Sequence, residues 1–331
     1  MTGQTCTRVR PTEDIKTDPS KLGWGVVATV KAPLRDIARF AAWHLDMGAA
    51  QIDLYLDDPD LQTAEILNAH AKITAITCDD AYWAKKPAKA RTAHQLRQAH
   101  NASRSYRHSD LDWLAHIDVD EFLLTEAPMA CLLAEAPADC AFLQFPPAEL
   151  LTHDGPTSHF KRTPKAAGHS KSILGKLYPE FGDVLPQGFI SHTAGKLIAR
   201  TGLDSVRFGI HHLLTQGHRI ANGHTPAGCY IGHVHAQDFA HFRQHMAYRL
   251  AHGSYRNQIN GNRHLNAPLT MLEEEQGSEG LQRFYEEVCT ARPALVDHLR
   301  RHNMLVVRDM ALDAAASRHF GNLPRDPESS T

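Results

Sequence analysis

Apolar and polar positions follow two different periods along the first 125 residues. WGVVATV (24–30) is a continuous apolar run and QIDLYL (51–56) alternates with a period of two, and both read as strands. Between them Leu34, Ile37, Ala38, Ala41 and Leu45 recur at helical spacing. Pro33 suits the first turn of that helix and Gly48 its end. A short helix over 61–70, the strand KITAIT (72–77), a His- and Arg-rich helix over about 88–107 and the strand DWLAHI (112–117) complete the series. The order β-α-β-α-β-α-β predicts a mostly parallel sheet with helices on both faces.

The second half is less regular. CAFLQFPP (140–147), GKLIAR (195–200) and SVRFGIHHLL (205–214) read as strands, and 150–195 as loops rich in Gly, Pro, His, Lys and Thr. CYIGHVH begins as a strand and gives way to a helix near Gln237. Further helices are predicted over 267–275, 279–290 and 293–303, with a frayed tail from 320. The first 20 residues are polar and proline-punctuated, and read as a loose arm without a secretory signal.

The strand order gives the acidic residues a meaning. Asp57 and Asp58 follow the second strand, and Asp118, Asp120 and Glu121 follow the fourth, so both groups are expected on one rim. Ligands of open α/β sheets gather beyond the carboxyl ends of the strands. Carboxylates crowded together repel one another unless a proton or a cation neutralises them. No GxGxxG follows the first strand, where the chain reads TVKAPLRD, and no GxxxxGK[ST] occurs anywhere. A phosphate bound here would need another source of positive charge. A Mg²⁺ or Mn²⁺ ion on Asp118 and Asp120 would supply it, because these ions favour carboxylate and phosphate oxygens.

Composition narrows the classes. The chain has 331 residues, 42% hydrophobic and 22% charged, with a net charge of −2. That balance fits a globular protein and lacks the basic excess of a nucleic-acid binder. No apolar stretch reaches the length of a membrane span, so no integral membrane segment is expected. Six scattered cysteines without a CxxC pair fit reduced thiols, hence a cytoplasmic location or one peripheral to the inner face of the membrane. The 23 histidines are the one outlying count, and most stand singly in polar stretches.

WGVVATVKAPLRDIARFAAWHLDMGAAQIDLYLDD followed by WLAHIDVDEFLL resembles the family 2-like glycosyltransferases of the GT-A fold. Within them it is similar to the bacterial branch that shares the DVDEF motif with family 92 enzymes. The likeness is strong over about 23–125 and weaker to about 250. It implies a GT-A-type, Rossmann-like, mostly parallel sheet flanked by helices, with a C-terminal helical extension. It further implies a nucleotide-sugar donor (a UDP- or GDP-sugar), a glycan or polysaccharide acceptor, and Mn²⁺ or Mg²⁺ held by Asp118 and Asp120. His233, in YIGHVHAQDFAHF, matches the motif histidine and would be a further metal ligand; Val234 stands where relatives carry an aromatic. The donor side would include Lys31, Asp57, Asp58, Gln98, Asp118 and Lys196. His211 also matches a family-like position, and the role of His235 is open. Arg91, His94, Gln95, Gln98 and Asn101 share a helix face that lines the pocket or meets solvent. For catalysis Asp120 binds the metal, and the acceptor base is left open among Glu121, Glu149 and Asp154, with Glu121 alternatively facing inward.

The implied organisation is an arm (1–22), a nucleotide-sugar half (23–125), an acceptor half (126–235) and a helical region (236–331). Two other classes compete. A DxD phosphatase would use Asp118 as nucleophile, but that motif normally follows the first strand. A His-rich metal-binding protein without enzymatic activity would bind several Zn²⁺ or Ni²⁺ ions and no nucleotide.

Overall fold

The computed structural model describes residues 6–9, 15–251 and 265–324. Their contacts divide them into two compact units. The first comprises the described residues of Met1–Phe145, Gly195–Ile231 and Ala311–Thr331, and the second those of Pro146–Ala194 and Gly232–Met310.

The first unit is built on a seven-stranded sheet. Its parallel core runs Trp113–His116, Trp24–Val30, Gln51–Leu56, Ile73–Thr77, in that spatial order. Lys196–Arg200 lies antiparallel beside Trp113–His116 and is followed outward by Phe142–Phe145 and Gly223–His224. One strand of the seven therefore runs against the rest, which is the helix-flanked, mostly parallel α/β arrangement expected. Trp24–Val30 is buried at every position, as a central strand covered on both faces must be. The helix Leu34–Asp46 buries Ile37, Ala38, Ala41 and Leu45 and ends where Gly48 adopts φ +94°, a left-handed conformation that an L side chain rarely takes. Asp60 caps the helix Leu61–Asn68 through the N–H groups of Gln62 and Thr63.

Several sequence boundaries move. The helix expected from about 88 begins at His94; Ala88–Arg91 is a separate 3₁₀ turn, and Ala93 between them is extended. The single strand expected over 205–214 is a hairpin, Val206–Phe208 against Leu213–Thr215, closed by the Gly209 N–H on the His212 carbonyl. Within the segment expected as a loose arm, Cys6–Thr7 pairs in parallel with His218–Ile220, and the Val9 N–H donates to Asn222 Oδ1. Residues 1–5 and 10–14 of that arm, and 325–331 of the tail, lie outside the described residues.

In the second unit Pro147–Leu151, Ser158–Arg162 and Leu305–Arg308 form antiparallel pairs. The strand expected over 140–147 thus divides at Pro146, where a ladder N–H is missing. The loops expected over 150–195 contain the strand Ser158–Arg162, and the helical region from 236 contains the strand Leu305–Arg308. Helices Phe239–Ala251, Asn266–Cys289 and Pro293–Arg301 pack Phe242, Leu269, Phe284, Val288 and Leu299 into one core. The long helix breaks at Gly277 (φ 59°, ψ −144°), between the two helices read from the sequence. Among the described residues no helix is long and apolar enough to cross a membrane.

Candidate active site

The parallel strands of the first unit deliver their carboxyl ends to a common rim. The Asp57 N–H donates to the Val30 carbonyl at 2.8 Å, so the acidic loop after the second strand continues the pairing with the first. Asp57 is nearly buried. Arg97 grips it with Nε and Nη2, both at 2.7 Å, and His94 Nδ1 stands 3.5 Å away. Burial pushes the Asp57 carboxyl up, but the His94 and Arg97 hydrogen bonds and the Arg97 charge outweigh it and hold it down at about 2. A cavity of about 510 Å³ opens here, lined by Asp57, Cys78, Trp83, Arg91 and Arg97 among others.

The second acidic group sits in the turn between Trp113–His116 and Glu121–Leu124. That turn is braced twice. The Glu121 N–H donates to the Asp118 carbonyl at 3.0 Å, and the Asp118 N–H donates to Glu121 Oε2 at 2.9 Å. Register brings in the cation: Leu197 lies opposite His116, so Lys196 stands at the rim. Its Nζ donates to Asp118 Oδ2 at 2.6 Å and lies 3.1 Å from Glu121 Oε2. Gln98, from the helix over the sheet, donates Nε2 to Asp118 Oδ1. Lys196 is 1% exposed and Glu121 0%, whereas Asp118 keeps 27%. Burial alone would push the Lys196 ammonium down, but the charges of Asp118 and Glu121 raise it. His116, two residues before Asp118, is buried and pushed down to about 4, by burial first and by Lys196 second.

Asp57, Gln98, Asp118, Glu121 and Lys196 thus all belong to the first unit, and each takes part in a polar contact there. Lys31 and Asp58 form only an exposed pair at 3.7 Å. Asp120 is half-buried within the turn. Glu121 is fully buried. On the His94 helix Gln98 and Asn101 are buried, whereas Arg91 lies off that helix and Gln95 is exposed. Asn101 donates to Thr29 Oγ1 and accepts from the Tyr82 hydroxyl. His211 Nδ1 pairs with the Gly195 carbonyl at 3.1 Å. Arg97, the ligand of Asp57, escaped the sequence reading. Its signal was available, since it lies one helical turn from both His94 and Asn101.

The remaining candidates lie in the second unit. Asp154 is exposed in the loop before Ser158–Arg162. Glu149 is buried against Lys161 at 3.2 Å and accepts the N–H groups of Ile190 and Ser191. His233 is buried, with its ring centroid 5.3 Å from that of His192 and 4.8 Å from that of His235.

The first unit's rim fits a divalent cation in donor type. Asp118 and Asp120 offer the hard carboxylate oxygens that Mg²⁺ and Mn²⁺ favour. Each Asp118 oxygen accepts one hydrogen bond, and a carboxylate offers roughly four lone-pair sites in all.

No family model matches the chain, and no curated protein matches it. Among solved structures it is similar to core-mannan synthase A (CmsA/Ktr4) of Aspergillus fumigatus in a Mn/GDP form, at 12% identity and a TM-score of 0.27 over 53% of this chain. The chain spans 55% of that protein's length. It is similar also to S. aureus TarS 1–349, at 14% identity and a TM-score of 0.34 over 92% of this chain and 93% of that one.

Proposed function

We propose that this chain is a metal-dependent glycosyltransferase of GT-A type. It moves a sugar from a UDP- or GDP-sugar to a hydroxyl of a glycan or polysaccharide. The observation that carries the reading is the acidic turn at the end of the central strand Trp113–His116, on the rim where Arg97 holds Asp57. Asp118 and Asp120 would hold Mn²⁺ or Mg²⁺. When bound, the ion would neutralise charge developing on the departing diphosphate. Asp57 orders Arg97, and with it the wall of the cavity that would take the nucleoside, while Lys31 and Asp58 lie at the exposed edge of the donor side. Gln98 and Lys196 fix the Asp118 carboxylate in one orientation, which limits reorganisation when the donor arrives. Glu121, buried on Lys196 and the Asp118 N–H, supports that turn.

A thermal-shift experiment tests the reading. UDP or GDP near a hundredfold above its Kd contributes about 2.7 kcal/mol, a rise of roughly 3–5 °C for a protein of this size. The rise should require Mn²⁺ and vanish with EDTA. Asp120→Asn should keep the far-UV circular dichroism and lose the Mn²⁺-dependent part. Equal shifts with and without metal, or an unaltered response in the variant, would reject the assignment.

A further inference from the structure

Lys196 is more than a neighbour of the acidic turn. Its strand is held between Trp113–His116 on one side and Phe142–Phe145 on the other, so its backbone cannot withdraw. Its side chain is 1% exposed, and its ammonium lies 2.6 Å from Asp118 and 3.1 Å from Glu121. An ammonium held between two carboxylates brings one positive charge to the acidic turn. A cation arriving at Asp118 and Asp120 must approach a positive charge that is already in residence. At these separations, with the ammonium itself buried, that repulsion is only partly screened.

We infer that Lys196 is a built-in counter-ion that keeps the metal affinity of the empty site low, so that the divalent cation binds tightly only together with a nucleoside diphosphate. The inference rests on the metal-assisted reading above and assigns that site its regulation. The acidic turn, relieved of Lys196, would capture a free divalent cation without any donor. With Lys196 in place, the negative charges of the diphosphate are needed to tip the balance. Metal and nucleotide then raise one another's affinity by the same factor, as linkage requires, and couplings of this kind typically span about 5- to 150-fold.

The test is a Mn²⁺ titration of the full chain, read from the electron paramagnetic resonance of free Mn²⁺, with and without UDP or GDP. Wild type should bind Mn²⁺ at least tenfold more tightly when the nucleotide is present. K196M should bind Mn²⁺ alone roughly tenfold more tightly than wild type and lose most of the coupling. E121Q, which removes a carboxylate and keeps the ammonium, should bind Mn²⁺ alone no more tightly than wild type. If K196M does not fold, K196Q keeps a hydrogen-bonding group against Glu121 without the charge and should show the same gain for Mn²⁺ alone. Unchanged or weaker Mn²⁺ binding in K196M, or in K196Q, with coupling intact, overturns the counter-ion role and leaves the metal-assisted reading standing. A wild type that binds no Mn²⁺ even with nucleotide removes both.

Discussion

Lys196 and Lys161 are both fully buried lysines, and each is set against a glutamate, yet the two clusters are closed differently. Lys161 lies 3.2 Å from Glu149 and donates to the Val288 carbonyl at 2.7 Å. Glu149 in turn accepts the backbone N–H groups of Ile190 and Ser191, the latter at 2.7 Å. Both side chains are sealed, at 1% and 3% exposure. Burial opposes the charge on each, but Lys161 and the hydrogen bonds lower Glu149, and Tyr178 and Glu149 raise Lys161. In the Lys196 cluster one carboxylate, Asp118, is 27% exposed, and its oxygens are held by the side chains of Gln98 and Lys196. Backbone donors around a sealed pair make a clamp between chain segments. Side-chain donors around a partly open carboxylate leave room for a ligand to join. The same ion-pair chemistry thus serves as scaffold in one unit and as a candidate site in the other.

The largest expected effect would break the scaffold half of this comparison. Lys161→Met leaves Glu149 charged and buried, which should cost about 3–5 kcal/mol of stability in urea unfolding. Lys161→Met/Glu149→Gln should recover a large part of that loss. If the single substitution costs less than 1 kcal/mol, the pair is no clamp.

Asp57 lies between the two cases, nearly buried yet lining an open cavity. Its folded carboxyl stands at about 2, below the ordinary value near 3.9, so its charge favours the folded state. That contribution is complete above about pH 4 and disappears as the pH falls through about 2. Asp57→Asn should therefore cost about 1–2 kcal/mol at pH 7, and the gap to wild type should narrow between pH 5 and pH 2. A gap independent of pH would assign the loss to packing rather than to the Arg97 pair.

The smallest effect serves as the control. Lys31 and Asp58 are both exposed by about two-thirds and stand 3.7 Å apart. Lys31→Ala should change stability by about 0–0.5 kcal/mol, less still in high salt. A larger loss would mean that this rim is more enclosed than the exposure of the pair indicates.

The sequence alone was enough to predict a mostly parallel core and to set Asp57 and Asp118 at strand ends on one rim. A short, β-branched apolar run such as 24–30 reads as a buried strand, and a β-α-β succession of parallel strands sends their carboxyl ends to the same edge. Asp57 and Asp118 therefore had to share an edge before any contact was known. The break of the last long helix at Gly277 was equally legible, because glycine is a poor helix former and its neighbours keep separate apolar faces. What required the tertiary structure was every partner distant in the chain. Lys196 reaches Asp118 across 78 positions because its strand inserts antiparallel between two others, and strand insertion leaves no local pattern. The hold of Arg97 on Asp57 spans 40 positions, and that of Glu149 on Ser191 spans 42. Periodicity reports which face of an element is buried, since burial repeats with the element's own geometry. It carries no record of which buried charge meets which, and that is decided only when the strands take their register.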